Sequence, residues 1–278
     1  MERIKLENGL TIAYRESGSG PAVLLLHGWP TSSYLWRNVL PRLARSGRVI
    51  APDLPGFGES DKPVDVRYTF DLFTQTIDDL TDRLGIDRLA LAGHDLGGPI
   101  ALRWALDNPG RVRGLALFNT LVYPEFHPSV RRFVAELRDP VGRARMTSPE
   151  GLTELLRDGV ADPERLATEV IEAVVAPFRT PEAREALANA GIGLQYKIFM
   201  ELGARVGRLA APLRLVFGTR DPILPDVAET MARIQRDRPG TEATALPQCS
   251  HFLMEDDPET VGDLLATFFE RLDEGATP

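Results

Sequence analysis

Short uninterrupted apolar runs alternate with longer stretches whose apolar positions recur every three to four residues, from about residue 22 to 119. The first kind reads as strand and the second as helix. The predicted strands are Ala22–Leu26, Arg48–Asp53, Arg88–Gly93 and Gly114–Asn119, with helices at Ser33–Arg45, Phe70–Leu84 and Gly98–Asp107. Strands that are apolar on both faces, joined by helices, imply a mostly parallel sheet covered on both sides. Ahead of them, Arg3–Leu6 and Leu10–Arg15 flank Asn8-Gly9 and predict a hairpin at the sheet edge. The same rhythm returns late in the chain. Leu213–Gly218 and Thr241–Leu246 read as strands, Val227–Arg236 and Pro258–Leu272 as helices.

Residues 122–205 carry no strand pattern. Helical stretches there are predicted to begin at Ser148-Pro149, Asp162-Pro163 and Thr180-Pro181, each a capping residue followed by proline and an acid. A further helix is expected at 194–202. The expected organisation is an α/β core of residues 1–121 and 206–278, with a helical cap at 122–205 over the carboxyl ends of the strands, where such sheets bind ligands.

Composition narrows the function classes. The net charge of −8 and the absence of a basic block argue against a nucleic-acid partner. The longest uninterrupted apolar run, Ala22–Leu26, is far too short for a membrane span. The first residues, Met1-Glu2-Arg3-Ile4-Lys5, lack the apolar core of a secretory leader, so a cytoplasmic location is expected, as a monomer or small homo-oligomer. The single cysteine, Cys249, allows neither an internal disulfide nor a paired-thiol metal site. The four histidines show no ligand spacing and no dinucleotide fingerprint follows a strand, so no metal or cofactor is expected.

The strongest chemical signal is Gly93-His94-Asp95-Leu96-Gly97-Gly98, between a predicted strand and a predicted helix. Small residues on both sides of a central residue permit the sharp turn that lifts a nucleophile above a sheet. Read alone, the motif also suits a glycine-rich turn that merely packs a helix on its strand. Two partners strengthen the catalytic reading: Asp221 directly follows a strand, and His251 lies in the loop after the last strand. The chain order of nucleophile, acid and histidine is that of an α/β-hydrolase triad. His27-Gly28-Trp29-Pro30 follows the first buried strand and suits an oxyanion hole, with the backbone N–H groups of Trp29 and Leu96 as donors. His27 itself reads as structural, and Trp29 as either pocket wall or donor.

These stretches resemble the α/β-hydrolases with an aspartate nucleophile, the group of haloalkane dehalogenases and epoxide hydrolases. The resemblance is carried by HGWPTSSYLWRNVL (27–40), DLPGFGESDKP (53–63), GHDLGG (93–98), Phe118-Asn119-Thr120 and HFLMEDDPETV (251–261). It implies an α/β-hydrolase fold and hydrolysis by displacement at carbon. Asp95 would form a covalent ester, and His251, oriented by Asp221, would activate the water that cleaves it. Asn119 fits an acid placed at Asp221 and not at that earlier strand end.

The leaving group separates two readings, with a small apolar organic substrate in both. The resembled dehalogenases hold a halide with a tryptophan after the nucleophile and with an asparagine after His-Gly or a second tryptophan from the cap. Here the first two places are Leu96 and Trp29, and the cap has no tryptophan. The resembled epoxide hydrolases protonate the opening oxygen with cap tyrosines, for which Tyr196 and, second, Tyr123 are candidates. Trp29 after His-Gly favours the epoxide reading, while the wider sequence texture favours the dehalogenases, which lead. Leu96, Pro99 and Ile100 stand where a carboxylate-gripping branch expects arginines, so a carboxylate substrate is disfavoured. From another class, the alternative is a non-catalytic protein of this fold that binds small apolar molecules.

Overall fold

The computed structural model describes residues 1–193 and 195–274. It is built on an eight-stranded sheet in the order β1-β2-β4-β3-β5-β6-β7-β8. The strands are β1 (Glu2–Lys5), β2 (Thr11–Ser17), β3 (Ala22–Leu26), β4 (Arg48–Pro52), β5 (Leu89–His94), β6 (Val112–Phe118), β7 (Leu213–Gly218) and β8 (Glu242–Leu246). The pairings β1/β2 and β2/β4 are antiparallel and the rest parallel. The edge hairpin turns at Gly9, whose φ of 86° is one that glycine adopts at no steric cost.

Alternation along the central strands feeds two apolar layers. In β3, Leu24 and Leu26 join the layer containing Phe73, Ile77 and Leu80 of α2 (Phe70–Arg83) and Ile100 and Trp104 of α3 (Gly97–Asp107). Val23 and Leu25 face the other layer, with Leu40 and Leu43 of α1 (Leu40–Leu43) and Leu265 and Phe269 of α12 (Pro258–Glu274). Each such leucine, wholly removed from water, contributes about 1.5–3 kcal/mol against chain entropy. The Trp104 indole, buried in the first layer, donates to Asp78 Oδ1 at 2.7 Å.

Between β6 and β7 the chain forms α4 (Pro128–Arg138), α5 (Pro140–Met146), α6 (Pro149–Asp158), α7 (Thr168–Val175), α8 (Pro181–Ile192) and α9 (Tyr196–Arg205), interspersed with short 3₁₀ turns. Four of them open on proline after a residue whose side chain accepts a backbone N–H of the first turn: His127, Asp139, Ser148 and Thr180. The chain after β7 completes the fold with α10 (Val227–Asp237) and α11 (Leu253–Asp256). No helix among the described residues is long and apolar enough to cross a membrane.

Local expectations differ from the structure in three places. The predicted helix Ser33–Arg45 is a 3₁₀ turn at Ser33–Trp36 followed by the short α1, because Pro41 has no N–H to continue a helix from the preceding turn. The start at Asp162-Pro163 yields only a 3₁₀ turn, Pro163–Arg165, after which Leu166 turns extended. The helix expected over 194–202 is seen as α9 from Tyr196; residue 194 lies outside the described residues.

Candidate active site

The carboxyl ends of β3, β5, β6, β7 and β8 lie side by side and deliver every expected site residue except the tyrosines. Asp95 follows β5 with φ of 48°, a left-handed conformation that costs a non-glycine residue roughly 1–3 kcal/mol. Its surroundings hold it there. Its N–H points to the carbonyls of Phe118 and Asn119 (3.3 and 3.2 Å), while its own carbonyl accepts from Thr120 Oγ1 (2.6 Å) and Gly98 N–H (3.0 Å). A side chain at Gly97 would put its Cβ 2.5 Å from the carbonyl oxygens of Leu26 and His27. The small residues of the motif thus serve close approach between β3, β5 and α3.

One carboxylate oxygen of Asp95, Oδ2, accepts the backbone N–H of Trp29 at 2.9 Å, and the backbone N–H of Leu96 bonds the same carboxylate. Gly28 makes this contact possible: a Cβ there would lie 2.5 Å from Oδ2. His27 holds the loop from below. Its Nε2 accepts from Leu54 N–H at 3.0 Å, so the proton sits on Nδ1, which donates to Gly28 O at 3.0 Å. Burial raises the Asp95 carboxyl above its ordinary value; the charge of His251 and the two N–H groups pull it back.

Behind Asp95, His251 Nδ1 bonds Asp221 Oδ2 at 2.8 Å, both side chains being buried. Burial works against a charged His251, but the Asp221 carboxylate, its hydrogen bond and the charge of Asp95 outweigh it, and the imidazole is raised above its ordinary value. Burial likewise opposes charge on Asp221, yet His251 and Asn119 hold it below the usual carboxylate range. Asn119 Nδ2 donates to Asp221 Oδ2 at 2.8 Å, and the N–H groups of Ile223 and Leu224 donate to Oδ1 at 2.8 and 2.9 Å. The His251 carbonyl bonds His94 Nε2 at 2.9 Å. Burial, with the His251 charge adding to it, keeps the His94 imidazole well below its usual range, so His94 stays neutral and serves as a donor. Cys249, beside this loop, is buried and its thiol is pushed up to about 12 by burial, which leaves it inert as a nucleophile.

Asp95 opens into a chamber of about 200 Å³. The sheet side contributes Trp29, Leu96, Pro99 and Leu121; the helical segment contributes Ser129, Val130, Phe133, Leu155 and Gly191. The walls are apolar apart from Asp95 itself and Ser129, whose hydroxyl donates to Ile223 O at 3.0 Å.

The expected leaving-group residues fare differently. Tyr196, at the start of α9, is 57% exposed and leans on Phe126, away from the chamber. Tyr123 is buried, but its hydroxyl donates to Asp237 Oδ2 at 2.7 Å under the Arg233 guanidinium, outside the chamber wall. Neither phenol is brought to Asp95: for Tyr196 helical spacing does not fix which face turns inward, and Tyr123, in the irregular segment after β6, is drawn to Asp237. The Trp29 ring does line the chamber, but its indole N–H is engaged by the carbonyl of Leu187 on α8 at 3.0 Å.

Comparison with known proteins gives the chain a family. The family described as alpha/beta hydrolase fold matches residues 21–258. The chain belongs to this family. It is 32% identical to a haloalkane dehalogenase of Agrobacterium fabrum, over 95% of this chain and 90% of that one. It is 44% identical to a soluble epoxide hydrolase of Corynebacterium sp., over 41% of this chain and 40% of the other. The crystal structure of haloalkane dehalogenase DbeA from Bradyrhizobium elkani superposes with a TM-score of 0.87 at 31% identity, covering 99% of both chains.

As an α/β-hydrolase, the protein is a hydrolytic enzyme, and several parts of its site escaped the sequence reading. Thr120 follows β6 and its hydroxyl holds the Asp95 carbonyl, a role the sequence does not mark; Asn119, tied to Asp221 in the sequence, turns out to bond it directly. Ser129, Phe133 and Leu155 sit on capped amphipathic helices whose inner face no local signal marks.

Proposed function

We propose that this α/β-hydrolase displaces a halide from a small apolar haloalkane through an ester of Asp95. The observation that carries the reading is the Asp95 carboxylate itself: it opens into an apolar chamber, one oxygen is held by the Trp29 N–H, and the buried His251–Asp221 pair stands behind it. The other oxygen, Oδ1, attacks an sp³ carbon, the carbon–halogen bond breaks, and the halide leaves with the electron pair. His251 then takes a proton from water as the water adds to the Asp95 carbonyl carbon. The resulting oxyanion lies against the N–H groups of Trp29 and Leu96, each such donor contributing about 3–4 kcal/mol. Collapse expels an alkoxide, which takes the proton from His251 and leaves as the alcohol. The Asp95 carboxylic acid so formed releases its proton through neutral His251 to solvent, which restores the carboxylate. Residues 122–205 act as the cap that keeps bulk water out of this chemistry.

A halide departs without a proton, whereas an opening epoxide oxygen requires one. With both tyrosines away from the chamber, the halide reading is the better supported. The test is intact mass of His251→Gln incubated separately with 1-bromobutane and 1,2-epoxybutane. A butyl increment is expected. A hydroxybutyl increment alone would shift the activity to epoxide hydrolysis, and no increment on folded protein would end the ester mechanism.

A further inference from the structure

Residues 159–161, just beyond α6, lie against the loop that carries His251. Two backbone groups cross between them. Phe252 N–H donates to Gly159 O at 2.9 Å, and Ala161 N–H donates to Asp256 Oδ1 at 2.8 Å. The other oxygen of the same carboxylate, Oδ2, accepts Ser250 N–H at 2.7 Å. One side chain therefore spans from the helical segment to the residue immediately before His251. Ser250 is buried, so its N–H has no water to turn to if that acceptor is lost.

The surroundings leave little slack. A Cβ on Gly159 would run into the Phe252 ring, so the segment sits in contact with the loop and cannot slide inward. On the other flank, Glu255 forks onto Arg37 at 2.5 and 2.7 Å, and that guanidinium stacks 4.3 Å over the Tyr34 ring. Asp257 serves Gln248 and Thr260, so it does not compete for Ser250. Asp256 is the only carboxylate among the described residues bonded to both the helical segment and the histidine loop.

We propose that Asp256 is a positioning residue that couples the seating of the helical segment at Ala161 to the placement of His251, and so governs cleavage of the Asp95 ester without governing its formation. Attack by Asp95 uses a carboxylate held by the ends of β3 and β5 and needs no proton transfer to His251. Water activation depends on where the His251 imidazole stands. The inference rests on the ester mechanism proposed above.

Asp256→Asn keeps the size of the side chain but replaces one acceptor with an N–H₂ that faces a backbone N–H. The experiment follows single-turnover formation and loss of the Asp95 adduct by intact mass, with wild type, His251→Gln and Asp256→Asn, using whichever of 1-bromobutane and 1,2-epoxybutane labels His251→Gln. In Asp256→Asn the adduct should form within about twofold of the wild-type rate and decay about 10–100-fold more slowly, the scale on which sub-ångström to ångström misplacement acts. Equal slowing of both steps, which a merely structural role gives, would overturn the proposal. So would unchanged decay. If His251→Gln itself takes no label, the ester mechanism fails and not this coupling. Should Asp256→Asn not fold, Asp256→Ser, which keeps one acceptor, carries the same test.

Discussion

The indole N–H of Trp29 ends on the carbonyl oxygen of Leu187, 3.0 Å away on α8, while the backbone N–H of the same tryptophan ends on Asp95. One residue therefore touches both the expected nucleophile and the helical segment opposite. Its ring packs edge-on against Phe133 of α4, which fixes the indole in that direction. The side-chain donor on the chamber wall next to Asp95 is already occupied in this conformation.

Trp29→Phe should consequently leave ester formation largely intact. The backbone N–H is retained, and the lost bond to Leu187 should lower stability by about 1 kcal/mol. Rapid-quench measurement of halide release, with thermal melting alongside, checks both numbers. A fall in halide release of about 100-fold or more, beyond what a mispositioned wall produces, would mean that the indole leaves Leu187 to hold the halide.

Gly28→Ala places a methyl group against the Asp95 carboxylate. The expected result is a folded protein whose alkylation rate has fallen by about 100-fold or more, since the attacking group is displaced by an ångström-scale push. Circular dichroism and adduct formation by mass distinguish this from simple unfolding.

The pH dependence follows from the charges around His251. To accept a proton the imidazole must be neutral, so ester cleavage slows as pH falls through its pKa. In the free protein burial lowers that pKa, but Asp221 and Asp95 outweigh burial and raise it. Esterification removes the Asp95 charge, so the pKa in the intermediate lies below that of the free protein. The covalent step thereby readies the base for the step after it. An NMR titration of free His251 should show a midpoint above the kinetic midpoint of ester decay; coincident midpoints would contradict this.

Asp221→Asn removes the acceptor that fixes the proton on Nδ1 of His251. Ester decay should fall by about 10⁴-fold, as when a triad acid is lost, while adduct formation persists. Accumulation of the adduct in this variant is the readout.

Leu155 lines the active chamber and a second cavity of about 290 Å³, which also share Ser129, Phe133 and Ile223. Leu155→Ala thins the wall between them. The KM for long-chain bromoalkanes should fall several-fold, a methylene in an apolar pocket being worth about 1 kcal/mol, with kcat for short chains unchanged. Steady-state kinetics across a chain-length series decides it.

Much of this was legible before any coordinates. The strand–helix rhythm gave the sheet because buried parallel strands must be apolar on both faces, as β3 and β5 are. The placement of Asp95, Asp221 and His251 followed from their positions at strand ends. What stayed hidden depended on contacts between distant segments. Tyr196 and Tyr123 occupy plausible positions in sequence, yet the first faces solvent and the second is bound to Asp237. Asp256 looks like one acid in an acidic run, and only the fold brings Ala161 to it. Pro41 broke a helix whose apolar period runs on past it.

The walls of the chamber come from two kinds of segment. Asp95, Leu96 and Trp29 belong to turns after strands, whereas Ser129, Val130, Phe133, Leu155 and Gly191 belong to one continuous excursion between β6 and β7. Substitutions within that excursion can therefore alter which molecules fit while the bond-making atoms keep their places. A lineage built this way can trade one diet for another without relearning its chemistry.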